Sequence, residues 1–314
     1  MLSEGKNWTV DDLPELSGKT IVVTGGNSGI GYEAAIQFAR KRAHVVLACR
    51  NLDKAHAAAE RIAALAPGAP VEAMALDLSS LASVRGFADS FKGRNRMLHV
   101  LCNNAGVMAL PHCRTADGFE MQFGTNHLGH FALTGLLLDR LLEADGARVV
   151  TVSSSAHRMG QIRFDDLQSE HGYGKWRAYG QSKLANLLFA FELQRRIEAA
   201  GAKLISVACH PGYAATNLQA MGPRMQGAAV MEMLMRVSNR LFAQSAAMGA
   251  LPTLYSATAP DLRGGEYIGP NGLGEMWGHP AKVDCSAAAH DTAVAARLWQ
   301  ISEQLTNVRY PLGS

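Results

Sequence analysis

The sequence lacks a cysteine framework, a long apolar run and a charge excess. Its five cysteines are odd in number and never spaced as CxxC, so neither a disulfide scaffold nor a zinc motif is indicated. No apolar run approaches the roughly 18 residues of a membrane span, and the first residues have no signal-peptide core. The 30 basic and 27 acidic residues nearly cancel, unlike those of nucleic-acid-binding proteins. We expect a cytoplasmic protein with reduced thiols, no stable membrane insertion and no nucleic-acid partner.

Short apolar runs alternate with helical patterns along the chain. Continuous apolarity in the runs is typical of strands buried on both faces, and the alternation implies right-handed crossovers and a parallel sheet. The runs predict strands at 20–24, 44–49, 71–76, 99–103, 148–153, 203–209 and around 266–268. Helices are predicted at 30–42, 53–65, 80–92, 120–143, 179–200 and 286–305. We predict an α/β, single-domain, doubly wound Rossmann fold over 18–314, with a mainly parallel seven-stranded sheet, helices on both faces and an N-terminal extension at 1–17.

A glycine-rich turn follows the first predicted strand, in TIVVTGGNSGIGYEA (20–34). Its spacing allows a tight turn and close backbone approach to phosphate at the N-terminus of the next helix. No Gly-Lys-Ser/Thr ends it, so it is not a Walker loop; an ordinary tight turn is the alternative. The pattern predicts dinucleotide phosphate contacts from Gly25, Asn27, Ser28, Gly29, Ile30 and Gly31.

The ends of the next three predicted strands carry the remaining nucleotide contacts. Arg50 stands where an acid would select NAD, which favours NADP(H), although an exposed loop cation is the alternative. Asp77, with Leu78, is a partner for the adenine edge or the acid that starts the following helix. The stretch LCNNAG (101–106) leaves room for a flat cofactor or forms an Asn-Gly-type turn; its candidate contacts are Asn104, Ala105 and Gly106.

A tyrosine and a lysine lie one helical turn apart in AYGQSKLANLLFAFELQRR (178–196), a stretch with the period of an amphipathic helix. Tyr179 and Lys183 therefore leave the same face. The ordinary tyrosine pKa of about 10 is too high for proton exchange at neutral pH, and a nearby ammonium and an oxidised nicotinamide would lower it. Tyr173 and Arg177 have the same spacing but lie in a glycine-rich stretch, so Tyr179 is favoured.

Together with VVTVSSSAH (149–157), these motifs resemble the short-chain dehydrogenase/reductase family from about residue 18 to 216. ACRNLDKA (48–55), TNHLGHFALT (125–134) and a long segment at 155–178 resemble the branch with retinol dehydrogenases, WW-domain-containing oxidoreductases and protochlorophyllide reductases. The resemblance implies a catalytic group in which Tyr179 is the acid/base and Lys183 binds the nicotinamide ribose and lowers the tyrosine pKa. It also implies that Asn126 holds a water and the lysine. Ser154 orients the substrate, with Ser153 and Ser155 as alternatives.

The segment CHPGYAATN (209–217) resembles the family's loop over the nicotinamide, which implies cofactor contacts from Pro211, Gly212 and Thr216. His127 and His130 form an HxxH without a partnered acid or cysteine, so no metal site is predicted. Five methionines at 218–242 suit a helical lid at about 213–245 over a bulky apolar ligand, or equally an ordinary core or dimer helix.

The sequence thus predicts an NADPH-dependent oxidoreductase that interconverts a lipophilic carbonyl compound and its alcohol by hydride transfer. Two alternatives are a reductase of carbon–carbon double bonds, similar to protochlorophyllide reductase, and a non-catalytic dinucleotide-binding protein. The resemblance also implies that helices 120–143 and 179–200 pair subunits in a homodimer or homotetramer, unless segment 155–178 blocks that face.

Overall fold

The computed structural model of the chain describes residues 7–213 and 244–312. Within those ranges one eight-stranded sheet has the order β3-β2-β1-β4-β5-β6-β7-β8. Neighbouring strands run parallel except β7 and β8, which are antiparallel. The strands are β1 Thr20–Thr24, β2 His44–Cys49, β3 Val71–Ala75, β4 Val100–Asn103, β5 Arg148–Val152, β6 Ile205–Cys209, β7 Tyr267–Pro270 and β8 Pro280–Lys282.

Helices connect the parallel strands and cover both faces of the sheet. None of the helices in the two described ranges combines the length and apolarity needed to cross a bilayer. They are α1 Gly29–Arg40, α2 Leu52–Leu65, α3 Leu81–Arg94, α4 Met121–Phe123, α5 Gly129–Leu136, α6 Leu138–Leu142, α7 Lys175–Ala199, α8 Ala246–Thr258 and α9 Thr292–Thr306.

The doubly wound α/β fold is confirmed, but the predicted strand number of seven is wrong. The additional strand is β8, which has only three residues and pairs antiparallel with β7 at the sheet edge. Three residues that begin with a proline give no apolar run to recognise, and proline is tolerated in strands chiefly at edges.

The predicted helix at 120–143 is interrupted rather than continuous. A π-helical turn at Gly124–Leu128 separates α4 from α5, and Leu137 separates α5 from α6. Wider turns of this kind inside helices are frequent at functional sites. This one carries Asn126, a predicted catalytic residue.

One face of the sheet packs against α1, α2 and α8, and the other against α3, α5, α7 and α9. The first face also buries three side chains from the predicted N-terminal extension, Trp8, Leu13 and Leu16. Trp8 packs edge-on against Tyr255 of α8 with ring centroids 5.4 Å apart.

Helix α7 is buried almost all round rather than along one stripe. Every residue from Ala178 to Gln194 is buried, because α7 lies between the sheet and α9. Phe189 of α7 stacks on Trp299 of α9 with ring centroids 5.9 Å apart. The helix that carries the predicted acid/base is therefore held from two sides.

Candidate active site

The predicted site residues in the described ranges gather at the carboxyl ends of the parallel strands. The sheet order reverses between β1 and β4, and the turns after these two strands flank the crevice that results. Ligands of doubly wound sheets bind at such a switch point. Strands β2, β3, β5 and β6 end at the same edge of the sheet, so the segments that follow them begin beside this crevice.

The turn after β1 has the backbone that its glycines predict. Gly25 and Gly29 have φ of +67° and +59°, in the left-handed region that favours glycine. A Cβ on Gly31 would lie 2.5 Å from the Asn104 side-chain nitrogen, so the missing side chain lets α1 approach the turn after β4. Asn27 and Ser28 complete the turn, and Ile30 packs against the core.

The N-terminus of α1 is suited to an anion. Ser28 is the N-cap residue but makes no side-chain capping bond, and the first turn carries no acidic residue. The first backbone N–H groups of a helix have no partner within it, and its partial positive charge attracts phosphate. The turn and this terminus therefore fit the pyrophosphate of a dinucleotide.

Thr24, at the end of β1, holds the turn that follows β4. Its hydroxyl accepts hydrogen bonds from the backbone N–H groups of Asn104 and Ala105, both at 2.9 Å. The Asn104 amide also donates to the Thr24 carbonyl at 2.8 Å. Asn104 therefore fixes the backbone on both sides of the crevice, as its position in NNAG suggests.

His130 joins this turn to Asn126. Its Nδ1 lies 2.9 Å from the Asn126 carbonyl oxygen, which can only accept, so Nδ1 carries a hydrogen. Burial lowers the pKa of His130 to about 4, which keeps the ring neutral. Nε2, 2.9 Å from the Thr24 hydroxyl, is then the acceptor, and that hydroxyl donates to it. Sequence reasoning treated His130 only as a weak metal ligand.

The adenosine end of the site contains Cys49, Arg50 and Asp77. The Cys49 thiol is buried beneath the glycine turn, and burial raises its pKa to about 11. Arg50 is exposed and makes no hydrogen bond or ion pair with any residue in the two described ranges. One Asp77 carboxylate oxygen accepts from the backbone and hydroxyl of Ser79 at 2.9 and 2.6 Å, so Asp77 also stabilises its own turn. Leu78 lies so close to α5 that a Cβ on Gly129 would collide with its carbonyl oxygen.

Ser154 and Tyr179 meet at the end of β5. Tyr179 is 5% exposed, and a hydrogen bond with the Ser154 hydroxyl partly offsets the effect of burial on its pKa. Ser153 instead donates to the Lys183 carbonyl at 2.8 Å, and Ser155 begins a 3₁₀ turn. Of the three candidate serines, the structure brings only Ser154 to the phenol.

The protein's own groups do not make the phenol acidic, in contrast to the expectation from the Tyr-Lys spacing. Burial raises the pKa of Tyr179 to about 12 and lowers the pKa of Lys183 to about 8. Lys183 Nζ lies 5.8 Å from the centre of the tyrosine ring and donates to the Val152 carbonyl at 3.0 Å. At this distance desolvation outweighs the attraction between the ammonium and the phenolate.

Asn126 lies at the same place but uses its amide to hold backbone. Its oxygen accepts from the Val107 N–H at 2.8 Å, and its nitrogen donates to the Val107 carbonyl and the Ser182 hydroxyl at 2.9 Å. A Cβ on Gly106 would lie 3.1 Å from the Asn126 amide oxygen and 3.6 Å from Lys183 Nζ. Gly106 therefore leaves the approach to both side chains open.

Other prominent residues lie outside this group. The Tyr173 hydroxyl donates to the Leu110 carbonyl at 2.8 Å and accepts from the Gln122 amide at 2.9 Å. Arg177 bonds to the Gly172 carbonyl. His127 Nε2 lies 2.9 Å from the Ser302 hydroxyl, so the two histidines of HxxH have different partners.

The loop after β6 is held by the segment around residue 276. Gly212 has φ of +65°, and a side chain there would collide with the Met276 carbonyl. The Pro211 carbonyl accepts from the Gln244 amide at 2.6 Å. Thr216 and residues 214–243 of the predicted lid lie outside the described residues.

His157 is a second residue that sequence reasoning missed. Its Nδ1 lies 2.7 Å from the Ser154 carbonyl, and its Nε2 accepts from the Ser286 backbone N–H at 3.1 Å. It is fully buried and so ties the Ser154 backbone to the loop after β8. Its place two residues beyond the serine run was the only signal available.

A buried phenol and amine with a half-buried hydroxyl, beside a turn that fits a pyrophosphate, are typical of a dinucleotide-dependent oxidoreductase of the Rossmann class. The short chain dehydrogenase family matches residues 19–226, and the chain belongs to this family. It is an enzyme that uses a nicotinamide dinucleotide and acts on CH–OH groups of small-molecule substrates.

Known proteins place the chain in the retinol dehydrogenase branch. It is 41% identical to retinol dehydrogenase 12 of Mus musculus over 94% of this chain and 89% of the relative. It is also 41% identical to human retinol dehydrogenase 11 over 96% and 89%. A crystal structure of an uncharacterized Mycobacterium paratuberculosis protein has a TM-score of 0.81 and 45% identity, and covers 98% of this chain and 100% of that one. A Shigella flexneri short chain dehydrogenase complexed with NADP shares the fold, with a TM-score of 0.62, 24% identity and coverage of 82% and 98%.

Proposed function

We propose that this enzyme uses NADPH to reduce a lipophilic carbonyl compound to its alcohol, reversibly, with Tyr179 as acid/base. The observation that carries the proposal is the contact between Ser154 and Tyr179 at the strand ends that also present the phosphate-binding turn. When bound, the nicotinamide supplies or accepts the hydride. The protein's own residues must then place the substrate oxygen and move one proton.

In reduction, Tyr179 donates the phenolic proton to the substrate oxygen while Ser154 donates a hydrogen bond to the same oxygen. Burial raises the pKa of Tyr179, so the phenol keeps its proton at neutral pH and is ready to donate it. The Lys183 ammonium stabilises the phenolate that remains and binds the nicotinamide ribose.

Arg50 supports NADP over NAD as the cofactor. It follows the last residue of β2, is exposed, and has no partner in the described part of the chain that would neutralise its guanidinium. A free guanidinium at this position can pair with the adenosine 2′-phosphate, for which an acid would be repulsive.

Exposed apolar side chains around the site support a lipophilic substrate. Nine large hydrophobic residues in the described ranges are exposed. Two of them lie near Tyr179 and its neighbour Gly180, and three lie in the segment that holds the loop after β6. The centre of the Trp176 ring lies 6.2 Å from that of the Tyr179 ring, and a Cβ on Gly180 would lie 3.1 Å from Met159 Cγ. Apolar pocket walls with few polar groups are typical of sites for bulky apolar ligands. The five residues are Met159, Trp176, Leu273, Met276 and Trp277.

The catalytic assignment is tested by Tyr179→Phe, with Tyr173→Phe as the matched control. Removing the proton donor should lower kcat at least a hundredfold, since general acid catalysis contributes about 10²–10⁴-fold. Tyr173→Phe removes a hydroxyl that binds Leu110 and Gln122, and should stay within about tenfold of the parent rate. A Tyr179→Phe enzyme within tenfold of the parent would refute the assignment.

Cofactor choice is tested by Arg50→Ala, with Arg40→Ala as the control cation. Arg40 is an exposed arginine at the end of α1. Arg50→Ala should raise the Kd for NADPH at least tenfold and that for NADH by less than about twofold, because NADH lacks the 2′-phosphate. Equal losses for both cofactors, or a parent enzyme that prefers NADH, would contradict the 2′-phosphate role.

The substrate class is tested by measuring NADPH consumption with bulky apolar aldehydes and ketones. Because the relatives are named retinol dehydrogenases, retinal belongs in the panel. We expect kcat/KM to be at least tenfold higher for the bulky apolar carbonyls than for small polar aldehydes. No preference, or turnover only of carbon–carbon double bonds, would overturn this part of the proposal.

We also propose a reducing compartment such as the cytoplasm. All five cysteines are unpaired, and four of them are buried. Fractionation that places the protein in an oxidising compartment would contradict this.

A further inference from the structure

A cluster of three ligand-type side chains lies in the loop between β8 and α9. Asp284 and Cys285 precede a 3₁₀ turn at Ala287–His290, and this turn brings the last residue back beside them. Each side chain offers one ligand atom, and the three atoms lie within 4.8 Å of one another. The cluster has neither the CxxC nor the HxxH spacing, so the sequence shows no sign of a metal site here.

The three ligand atoms converge on one point. His290 Nε2 lies 3.1 Å from Cys285 Sγ and 3.5 Å from Asp284 Oδ1. In a catalytic Cys-His-Asp group the acid contacts the opposite ring nitrogen from the one that faces the sulfur. Here both contacts are to the same nitrogen. This is the arrangement of ligands around a common centre and not of a proton relay.

The cluster is partly held in place by its surroundings. The Phe191 ring of α7 stacks on the His290 ring, with centroids 5.7 Å apart and planes 6° from parallel. The Cys285 backbone N–H donates to Asp284 Oδ1 at 2.8 Å, and Cys285 is 7% exposed. His290 and Asp284 are exposed, so an ion has access from solvent. The neighbouring cation, Arg158, lies 3.1 Å from the Glu275 carboxylate, which partly neutralises it.

We propose that Asp284, Cys285 and His290 form a binding site for Zn²⁺. Thiolate, imidazole and carboxylate are the side chains that bind zinc in proteins, and three protein ligands leave the fourth tetrahedral position for water. Binding forms a zinc–sulfur bond and releases the thiol proton to solvent. The ligand atoms of a tetrahedral zinc ion lie roughly 3.3–3.6 Å apart, so the two distances from His290 Nε2, 3.1 and 3.5 Å, need shifts of only a few tenths of an ångström.

The site lies one residue from a hydrogen bond that supports the catalytic group. Ser286, directly after Cys285, donates its backbone N–H to His157, and His157 holds the Ser154 carbonyl. Zinc at this loop therefore fixes the segment to which the substrate-orienting serine is tied. None of the three ligands belongs to the proposed catalytic or cofactor-binding residues, so this inference is independent of the proposed function.

The proposal is tested on the full chain by competition with a chromophoric zinc chelator. The parent protein should bind one equivalent of Zn²⁺ with a Kd of about 1 μM or tighter, and Cys285→Ser and His290→Ala should each weaken binding at least tenfold. Cys113→Ser removes the partly exposed cysteine elsewhere and should leave the affinity unchanged. Circular dichroism of each variant establishes that it is folded; His290→Ala alters an exposed side chain and should fold normally.

Cobalt supplies a readout that depends on the sulfur itself. Co²⁺ bound to the parent protein should show a thiolate-to-metal charge-transfer band that is absent in Cys285→Ser and present in Cys113→Ser. Absence of stoichiometric zinc binding by the parent protein, unchanged affinity in both site variants, or a cobalt complex without the sulfur band would overturn the proposal.

Discussion

Two side chains at the centre of the site have pKa values shifted in opposite directions by burial. The pKa of Tyr179 rises to about 12 and that of Lys183 falls to about 8. The sequence suggested the pair because the spacing is visible, but the shift expected from that spacing, a lowered tyrosine pKa, has the opposite sign to the one that burial produces in the protein alone. The sign depends on how deeply the tyrosine ring is buried, and burial cannot be read from the spacing of two residues.

This difference predicts the alkaline limb of the pH profile for reduction. Both groups must be protonated, and Lys183 loses its proton first, so kcat/KM should fall above about pH 8 with a slope of one proton. Initial rates of NADPH oxidation from about pH 6 to about pH 10 would show this. Because arginine stays charged over this pH range, kcat/KM of Lys183→Arg should not fall above about pH 8, even where the variant is less active than the parent. A parent profile that is flat through pH 9.5 or so would contradict the prediction.

His130 is expected to act as a positioning residue. His130→Phe removes the ring acceptor of the Thr24 hydroxyl, which is left with the Cys102 carbonyl at 3.2 Å, and the ring donor to the Asn126 carbonyl, at about 1–3 kcal/mol in total. We expect a lower Tm and at least a tenfold higher Kd for the cofactor, because Thr24 holds the NNAG turn. Fluorescence titration with NADPH and thermal unfolding measure the two effects.

Two further variants separate positioning from general stability. His130→Gln can still donate to one partner and accept from the other, and should recover part of the affinity. His127→Gln changes a buried histidine that contacts Ser302 instead. It should lower the Tm while cofactor affinity stays within about threefold. Equal loss of affinity in His127→Gln and His130→Phe would show that the effect is only structural.

At the scale of elements, the strand pattern was predictable because each buried strand is a continuous apolar run. The exceptions have local causes. Strand β8 has only three residues and begins with a proline, so it gives no apolar pattern. The π-helical turn before α5 differs from an α-helix only in hydrogen bonding to the fifth residue along the chain and not to the fourth, which the sequence pattern does not show. The candidate site residues were predicted from ordered motifs at strand ends, whereas the contacts of His130 and His157 depend on elements far apart in the chain.

Two helical glycines test the packing of α5 against the turn after β3. A side chain at Gly129 would collide with the Leu78 carbonyl, whereas a Cβ on Gly86 in α3 would meet no atom within 4 Å. Gly129→Ala should therefore destabilise the protein by about 1–3 kcal/mol. Gly86→Ala should stabilise it by about 0.5–1 kcal/mol, through helix propensity alone.

Chemical denaturation of the two variants measures the difference. Because Leu78 belongs to the predicted cofactor site, Gly129→Ala should also weaken NADPH binding, and Gly86→Ala should not. Similar free energies of unfolding for the two variants would mean that α5 is not packed as described.

At the scale of the whole molecule, buried neutral histidines predict acid lability. Burial lowers the pKa of His127 to about 3 and that of His130 to about 4. The unfolded chain binds these protons near the ordinary pKa of about 6.5, so stability is fully present above that pH. It is lost progressively as the pH falls from 6.5 towards the folded values. Urea unfolding at several pH values should show this. His56→Ala, at an exposed histidine of α2 whose side chain has no hydrogen bond or ion pair within the described ranges, should leave the dependence unchanged.

The packing of α9 against α7 limits which face of the protein can pair with a second subunit. A second subunit could pair through α7 only by displacing α9, so we expect any homodimer or homotetramer to use another face. Light scattering of the purified chain, with the interface then located by cross-linking, would measure this. Cross-links between two copies of α7 would contradict it.

The same packing sets an order of events during synthesis. Phe189 and its neighbours on the helix of Tyr179 are covered by residues that the ribosome adds about a hundred positions later. Until α9 emerges, the helix that carries Tyr179 exposes an apolar flank. A stop codon shortly before α9 should therefore leave an aggregation-prone chain and not a shortened enzyme.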